Sequence, residues 1–247
     1  MKKIYGLVGY PLGHSFSRSF FQKKFEAENI DAAYENFEIP DITDLRRLIA
    51  DYEELCGLNV TIPHKSAVIP LLDELDPQAG EIGAVNVIKI TRRNSGIYLK
   101  GFNSDVVGFT DSIAPLLTED MRQALILGTG GASKAIYAGL KSLRIVPSFV
   151  SRQKKEGVIG YDDLTPETIA SHKIIVNTTP LGMFPHIDQC PDIPYEALTP
   201  GHLCYDVVYN PEETLFLQKA AAQGCKTKNG IEMLHRQALA AWEIWNK

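Results

Sequence analysis

A glycine-rich turn in the middle of the chain constrains the fold more than any other feature. The apolar segment Gln123–Leu127 is predicted as a strand, and it runs directly into Gly128-Thr129-Gly130-Gly131-Ala132-Ser133. A helix is predicted from there to Lys141. Glycine at 128 permits a tight turn, and glycine at 130 lets another group approach the backbone. The order strand, glycine turn, helix predicts the start of a parallel α/β unit.

The same turn is typical of a dinucleotide site, because a pyrophosphate binds at the positive end of the following helix. The alternative is a turn with a structural role only. The next strand, Val146–Val150, ends in Ser151-Arg152-Gln153, without the acidic residue that binds the ribose of NAD. Because a guanidinium pairs with a 2′-phosphate, Arg152 favours NADP. The alternative for Arg152 is a solvated basic turn.

Strand-like and helix-like segments alternate along all 247 residues. Hydrophobic residues make up 45% of the chain, which is enough for a full core. The alternation predicts two α/β units with parallel or mixed sheets and helices on both faces. A new series of elements starts after Asn103–Asp120, which places the domain break there. In the first unit we predict a hairpin around Arg92–Gly96 and a helix over His64–Leu72.

Three polar clusters lie where strands of the first unit end and helices begin, at Gly9–Ser17, Leu58–Lys65 and Gly101–Asp105. Ser15 and Ser17 either hold a carboxylate or cap a helix. Taken alone, Lys65 is an ordinary surface lysine and Asp105 a helix cap. Together they suit nicotinamide chemistry, in which hydride transfer to carbon is accompanied by proton transfer to oxygen. A lysine can supply that proton, and an aspartate can orient the lysine.

Motifs along nearly the whole chain resemble the shikimate dehydrogenase family. The combination of Asn59-Val60-Thr61-Ile62-Pro63-His64-Lys65 with the downstream Asn103-Ser104-Asp105 is specific to it. The other matching segments are Gly9–Ser17, Gly83–Asn86, Gly128–Ser133, Asn177–Pro180, Asp206–Pro211 and Gly230–Gln237.

The resemblance implies NADP-dependent, reversible reduction of 3-dehydroshikimate to shikimate, in the shikimate pathway of aromatic amino-acid biosynthesis. It implies that Lys65 and Asp105 are the catalytic pair. The substrate-binding residues that it implies are Ser15, Ser17, Asn59, Thr61, Asn86, Tyr209 and Gln237. The cofactor-binding residues that it implies are Gly128, Gly130, Gly131, Ala132, Ser151, Arg152, Thr178 and Gly230.

The fold implied by the resemblance is a two-domain α/β protein, with an N-terminal α/β substrate-binding domain and a Rossmann-type NADP-binding domain. The C-terminal helix is expected to return to the first domain, a point that the hydrophobic pattern alone leaves open. We expect residues 1–104 and 229–247 in the substrate-binding catalytic domain, and residues 105–228 in the NADP-binding Rossmann domain. Closure of such a pair of domains would exclude water during hydride transfer.

Two departures from the family pattern concern the cofactor. The 2′-phosphate turn is usually Asn-Arg-Thr in the family, and here it is Ser151-Arg152-Gln153. The arginine is retained, so NADP is expected, with a weaker preference than usual. Glu232 stands where glycine is common, and it would change the affinity for the cofactor if it approached the nicotinamide.

Charge and composition exclude several other classes of protein. The formal net charge is −5 without a basic face or tail, which argues against a nucleic-acid partner. Apolar runs fall short of the roughly 20 residues that span a bilayer. Four widely spaced cysteines predict free thiols in a reducing cytoplasm, and the six histidines lack metal-ligand spacing. We therefore expect a cytoplasmic monomer or homodimer that binds a small molecule, without a metal.

Two alternative functions remain open. A dual quinate/shikimate dehydrogenase is disfavoured by the Ser15-x-Ser17 pair and by Arg152. A non-catalytic sensor of shikimate or nucleotide is disfavoured because it should have lost Lys65 or Asp105, and both are present.

Overall fold

The computed structural model describes residues 2–12, 16–94, 96–153 and 155–247. Contacts divide the chain into two compact units, Met1–Ser104 with Ala238–Lys247 and, separately, Asp105–Gln237. The first unit is therefore built from two stretches of chain. The domain limits expected from the sequence remain a prediction about which residues bind the substrate and which bind the cofactor. They are 1–104 with 229–247 for the substrate and 105–228 for the cofactor.

The first unit contains a six-stranded mixed sheet. Its strands are β1 (Lys3–Gly9), β2 (Ala32–Glu38), β3 (Leu55–Val60), β4 (Glu74–Leu75), β5 (Val87–Arg93) and β6 (Gly96–Phe102). Its helices are α1 (Phe16–Ala27), α2 (Leu45–Asp51) and α3 (Pro77–Ile82). The strand order is β2-β1-β3-β5-β6-β4. β1 pairs in parallel with β2 and β3, whereas β5 is antiparallel to β3 and β6. The predicted hairpin is confirmed by the pairing of β5 with β6.

The second unit contains a six-stranded parallel sheet. Its helices are α4 (Asp105–Ile113), α5 (Gly131–Ser142), α6 (Pro166–Ser171) and α7 (Leu215–Ala222). Its strands are β7 (Gln123–Leu127), β8 (Val146–Ser151), β9 (Val158–Gly160), β10 (Ile174–Asn177), β11 (Leu203–Asp206) and β12 (Lys226–Lys228). The order β12-β11-β10-β7-β8-β9 is that of a Rossmann fold, which confirms the predicted class. In such sheets a ligand binds beyond the carboxyl ends of the two central strands, here β7 and β10.

Alternation along each strand explains why both sheets have a core on each face. In β7, Ala124 and Ile126 pack into one cluster, and Leu125 and Leu127 pack into another on the opposite face. All four side chains are fully buried. Such continuous apolar strands are typical of a parallel sheet covered by helices on both faces.

The last helix, α8 (Ile231–Asn246), begins in the second unit and ends in the first. The expected return of the C-terminal helix to the first domain is thereby confirmed. The Trp245 indole stacks on Tyr5 with ring centroids 4.9 Å apart, and its Nε1 donates to the Ile88 carbonyl at 3.1 Å. Trp242 packs edge-on against the same Tyr5 ring at 5.2 Å. The helix end thus closes the aromatic core of the first unit.

The helix predicted over His64–Leu72 is wrong. Residues 62–68 form turns, followed by a short 3-10 helix at Ile69–Leu71. Pro70 explains the difference, because proline has no N–H to continue a helix and disfavours helical geometry at the residue before it. Lys65 consequently lies in a turn, and its carbonyl accepts a hydrogen bond from Val85 N at 2.7 Å.

The contact between β3 and α8 generates a prediction about stability. A Cβ at Gly57 would overlap the Trp245 indole, so Gly57→Ala should cost about 1–3 kcal/mol of unfolding free energy. Trp245→Ala should cost about 3–5 kcal/mol, since it empties a buried aromatic site. In the double variant the alanine methyl at position 57 occupies the space that the indole has left. The double variant should therefore lose less unfolding free energy than the sum of the two single losses. Urea unfolding of all three variants measures this coupling.

Gly80→Ala is the matched control for that cycle, because a Cβ at Gly80 meets no atom within 4 Å. It should leave the unfolding free energy unchanged or slightly raised, as expected for alanine in a helix. Fully additive costs for Gly57→Ala and Trp245→Ala would contradict the proposed overlap.

Candidate active site

Asn86 connects three polar segments of the first unit. Its Oδ1 accepts a hydrogen bond from Ser104 N at 2.7 Å, and its Nδ2 donates to Ser104 Oγ at 3.0 Å. Its carbonyl accepts from Val60 N at 2.9 Å and from Asn59 Nδ2 at 3.3 Å. Asn59, Asn86 and Ser104 are all buried. The end of β3, the residue before β5 and the segment after β6 therefore meet at one residue, Asn86.

Ser17 and Tyr34 extend this network. The Tyr34 hydroxyl donates to Asn59 Oδ1 at 2.7 Å, and its other hydrogen-bond partner is the Ser17 side chain. Burial raises the pKa of Tyr34 well above its ordinary value, which keeps its proton in place. Ser17 is the second residue of α1, so it lies inside the helix and not at its N-cap. Ser15 lies outside the described residues.

The structure gives different settings to the three polar residues that follow β3. Thr61 is half-buried, and its N–H donates to the Val8 carbonyl at 2.9 Å. The buried His64 contacts the Ile39 carbonyl through Nε2 at 2.7 Å, so it braces the turn. Lys65, the residue after it, is half-buried.

The other predicted catalytic and substrate residues belong to the second unit. Asp105 is the first residue of α4 and is 6% exposed. A carboxylate there lies at the positive end of the helix dipole. Gln237 is buried on α8, and Gly108 lets α4 approach that helix closely. Tyr209 is half-buried, and burial raises its pKa. The structure thus brings Ser17, Asn59 and Asn86 into one network and assigns Asp105, Tyr209 and Gln237 to the other unit.

Asp206 anchors the motif that carries Tyr209. Its Oδ1 accepts from Asn177 Nδ2 and from Val208 N, both at 3.0 Å, and its Oδ2 accepts from Thr214 Oγ1 at 2.6 Å. Desolvation nevertheless outweighs these bonds and raises the pKa of Asp206 from 3.8 to about 6. Asp206 therefore fixes the ends of β10 and β11 to the loop that follows β11.

The glycine turn has the geometry that the sequence predicts. Gly128 has φ +107, and a Cβ there would approach Thr178 Oγ1 to 2.9 Å, so only glycine fits. Thr178 in turn donates from Oγ1 to the Leu127 carbonyl at 2.7 Å. Gly128 and Thr178 thereby connect the carboxyl ends of β7 and β10, where a Rossmann fold binds its ligand.

Gly130 is different, because neither its backbone angles nor its surroundings require glycine. Its φ of −78 is ordinary, and a Cβ there would meet no atom within 4 Å. Gly130 caps α5, which starts with the half-buried Gly131 and Ala132. Ser133 is fully buried and donates to the Gly130 carbonyl at 2.7 Å, so the serine fits this position. The space beside Gly130 suits a pyrophosphate at the start of the helix.

The remaining predicted cofactor residues divide by their surroundings. Ser151 ends β8, and its Oγ accepts from Gln153 N at 3.2 Å. Arg152 is exposed and makes no ion pair with any residue that the structure describes, so its guanidinium can bind a phosphate. Gly230 has a structural reason to be glycine, because a Cβ there would overlap the Val207 backbone.

Glu232, which departs from the family pattern near the start of α8, forms ion pairs with basic neighbours. Lys228 Nζ lies 2.5 Å from its Oε2, and Arg236 Nη2 lies 2.7 Å from its Oε1. Lys228 first, and then Arg236, lower the pKa of Glu232. Its charge is therefore balanced within α8 and the residues just before it.

Sequence reasoning missed two members of the first unit's network. Ser104 lies inside the quoted Asn103-Ser104-Asp105 motif, so the signal was present and its role was not assigned. Tyr34 gave no local signal, because a tyrosine in an alternating strand is indistinguishable from any core aromatic.

Metal-ligating and membrane-spanning features bear on the class of site. Across the described ranges, no group of three or more His, Cys, Asp or Glu residues is arranged to hold a metal ion. Nor does any helix in those ranges have the length and apolar character needed to cross a bilayer.

A mixed α/β unit with a buried polar network and a Rossmann unit with a dinucleotide turn define a two-domain oxidoreductase fold. The family model "Shikimate dehydrogenase substrate binding domain" matches residues 7–88. A Desulforamulus reducens protein named shikimate dehydrogenase (NADP(+)) is 37% identical, over 98% of this chain and 89% of its own. The chain belongs to the shikimate dehydrogenase family.

Solved structures agree with this assignment. A chorismate mutase/shikimate 5-dehydrogenase fusion protein from Clostridium acetobutylicum superimposes with a TM-score of 0.87 at 36% identity, covering 100% of this chain and 91% of its own. Shikimate 5-dehydrogenase from Thermus thermophilus, solved with NADP(H) and shikimate, gives a TM-score of 0.85 at 27% identity. The match covers 98% of this chain and 93% of the Thermus chain.

The pKa of Asp206 gives a prediction about stability and pH. Its folded-state pKa of about 6 exceeds the ordinary 3.8, so the folded protein holds this proton more tightly than the unfolded chain. Stability from this group is therefore lost as pH rises from about 4 to about 6. Relative to Asp206→Asn, wild type should lose about 3 kcal/mol over that range, at about 1.4 kcal/mol per pH unit. Denaturant unfolding of both proteins at pH 4 and pH 7 measures the difference. A gap that widens in favour of wild type as pH rises would mean that the three hydrogen bonds outweigh desolvation.

Proposed function

We propose that this protein catalyses the NADP-dependent, reversible reduction of 3-dehydroshikimate to shikimate, a step of the shikimate pathway of aromatic amino-acid biosynthesis. The observation that carries the proposal is the buried network of Asn59, Asn86 and Ser104, which Tyr34 extends to the half-buried Ser17. It joins family motifs that are far apart in sequence, within and beyond the region that matches the substrate-binding family model. The names of the relatives, which are similar over nearly their full length, support the same activity.

Substrate binding is assigned to neutral hydrogen-bonding side chains. The proposed residues are Ser15, Ser17, Asn59, Thr61, Asn86, Tyr209 and Gln237. Hydroxyl and amide groups can donate to a carboxylate and can also accept from ring hydroxyls, and shikimate carries both. The burial of Asn59 and Asn86 makes such bonds selective, because a ligand whose polar groups do not match theirs is buried at a cost.

Lys65 and Asp105 are proposed as the catalytic pair. Bound NADPH supplies the hydride that the carbonyl carbon receives. The ammonium of Lys65 stabilises negative charge on the carbonyl oxygen and supplies a proton to it in the direction of reduction. Asp105 is proposed to orient the Lys65 side chain. In the reverse direction the uncharged amine accepts the proton from the shikimate hydroxyl.

Cofactor binding is assigned to the turn after β7 and to the ends of the neighbouring strands. The proposed residues are Gly128, Gly130, Gly131, Ala132, Ser151, Arg152, Thr178 and Gly230. The open backbone at Gly130 fits a pyrophosphate, and the exposed Arg152 fits a 2′-phosphate. These two features support NADP and the assignment of residues 105–228 as the NADP-binding domain, with 1–104 and 229–247 as the substrate-binding catalytic domain.

The cysteine side chains bear on the cellular compartment of the protein. All four cysteines are free thiols, which supports a reducing compartment and hence the cytoplasm. The proposed working form is a monomer or a homodimer that binds only small molecules.

Initial rates with shikimate and with quinate, each with NADP and with NAD, test the activity. We expect the rate with shikimate and NADP to exceed each of the other three by at least about 10-fold, since Arg152 favours the 2′-phosphate and the Ser15-x-Ser17 pair favours shikimate over quinate. Comparable rates with quinate or NAD would identify a dual-specificity enzyme. Binding of shikimate without turnover in any combination would identify a sensor, and would contradict the proposed activity.

Replacing Lys65 tests the catalytic assignment. Lys65→Ala should lower kcat by about 10²–10⁴-fold, because it removes the group that transfers the proton. The dissociation constant for shikimate, measured by calorimetry, should change far less. Lys89→Ala is the matched control, since Lys89 is another half-buried lysine of the first unit and should keep normal kcat. Near-normal turnover in Lys65→Ala would exclude this role.

A further inference from the structure

Tyr34 is not among the proposed site residues, yet it contacts two of them. Its ring is 1% exposed and stacks on Phe21, with centroids 4.7 Å apart and an interplanar angle of 12°. Its hydroxyl contacts two proposed substrate residues at once, Ser17 on α1 and Asn59 on β3. A core tyrosine whose only polar atom bridges two binding residues is well placed to control both.

The number of hydrogens on each group fixes which atom donates and which accepts in the bonds of Tyr34. Asn59 uses Nδ2 to donate to the Asn86 carbonyl at 3.3 Å, so its Oδ1 must be the atom that accepts from Tyr34. The single hydroxyl hydrogen of Tyr34 is thereby committed to Asn59. In its bond with Ser17, Tyr34 can therefore only accept, and Ser17 donates.

This arrangement fixes the direction of the Asn59 donor and gives the Ser17 hydroxyl a partner in the free protein. The Asn59 amide cannot flip, because the opposite orientation would place its NH₂ against the tyrosine hydroxyl hydrogen and its oxygen against the Asn86 carbonyl. Its second Nδ2 hydrogen, which no described residue accepts, is consequently held in one direction. The Ser17 hydroxyl is held by Tyr34 in the free protein and can turn its hydrogen to an arriving carboxylate. Tyr34 remains satisfied after that turn, because it still donates to Asn59.

We propose that Tyr34 is a positioning residue for the substrate, which fixes the Asn59 amide in the orientation that meets an oxygen of shikimate and holds the Ser17 hydroxyl in place until it turns its hydrogen to the substrate. The inference rests on the proposed function and adds a residue to it. Tyr34 acts through Ser17 and Asn59, so its contribution lies in substrate affinity and not in the chemical step.

Tyr34→Phe tests the proposal, because it keeps the ring and its stacking on Phe21 and removes only the hydroxyl. We expect KM and the dissociation constant for shikimate to rise about 10-fold, which corresponds to about 1.4 kcal/mol. The kcat should change less than about 2-fold, and KM for NADP should not change. A merely structural loss would lower the folded fraction, and so the apparent kcat, without moving either KM.

Tyr5→Phe is the matched control. Tyr5 is also 1% exposed in the same aromatic cluster, and its hydroxyl makes no hydrogen bond to Ser17, Asn59 or any other residue that the structure describes. It should leave KM for shikimate at the wild-type value. A cycle with the double variant Ser17→Ala/Asn59→Ala completes the test, because Tyr34→Phe should add less than about 2-fold once both partners are gone.

The outcomes separate this inference from the proposed function. An active wild type with an unchanged shikimate KM in Tyr34→Phe would overturn the role of Tyr34 alone. An equal rise in KM for NADP, or an undiminished effect of Tyr34→Phe in the double variant, would also overturn it. A wild type that neither binds nor oxidises shikimate would overturn the proposed function and the inference together. If wild type binds shikimate without turnover, calorimetry on the same variants still decides the question.

Discussion

The first unit depends on the buried side chain of Asn86. Both of its amide atoms bond to Ser104, and its main chain bonds to β3 and to the Phe102 carbonyl at the end of β6. A buried amide without these partners would lose on the order of 1–3 kcal/mol for each unpaired group. The three segments are therefore held in one arrangement. Asn59 bonds to Asn86 directly, and Ser17 is connected to Asn59 through Tyr34. Rigidity of the proposed substrate-binding residues follows from the need to satisfy polar groups inside a core.

Local patterns predicted the central elements because those elements carry their own signals. The strand and glycine turn at 123–133 and the hairpin of β5 and β6 follow from apolar periodicity and turn residues. The wrong prediction of a helix over His64–Leu72 shows the limit of such local patterns. A proline near the end of the segment outweighed the helical spacing of its apolar residues. The short strands β4, β9 and β12 had no periodicity long enough to detect. The bond from Tyr34 to Asn59 was beyond prediction, since it depends on the order of strands in the sheet and not on any local pattern.

Within the second unit, glycines that look alike in sequence serve different purposes. Gly128 is required by its positive φ and by Thr178, and Gly230 by the Val207 backbone. Gly130 has no such requirement, so its small size leaves space that the protein itself does not fill. Likewise, Asn177 and Asp206 belong to family motifs and act within the fold, by joining β10 to β11 and to the loop beyond it. A motif residue therefore indicates a ligand contact only after the structure has excluded a purely internal reason.

The continuity of α8 across the boundary between Gln237 and Ala238 has a consequence for biosynthesis. Residues 2–104 leave the ribosome before the residues that complete their core exist, because Trp245 is translated after the whole of the second unit. Residues 105–237 form one uninterrupted stretch, so their core needs no residue that is translated after Gln237. The aromatic side chains of β1 and α1 remain exposed until the end of α8 is translated and packs against them. Chain connectivity thus imposes a vectorial order, in which the part of the protein made first is the part finished last.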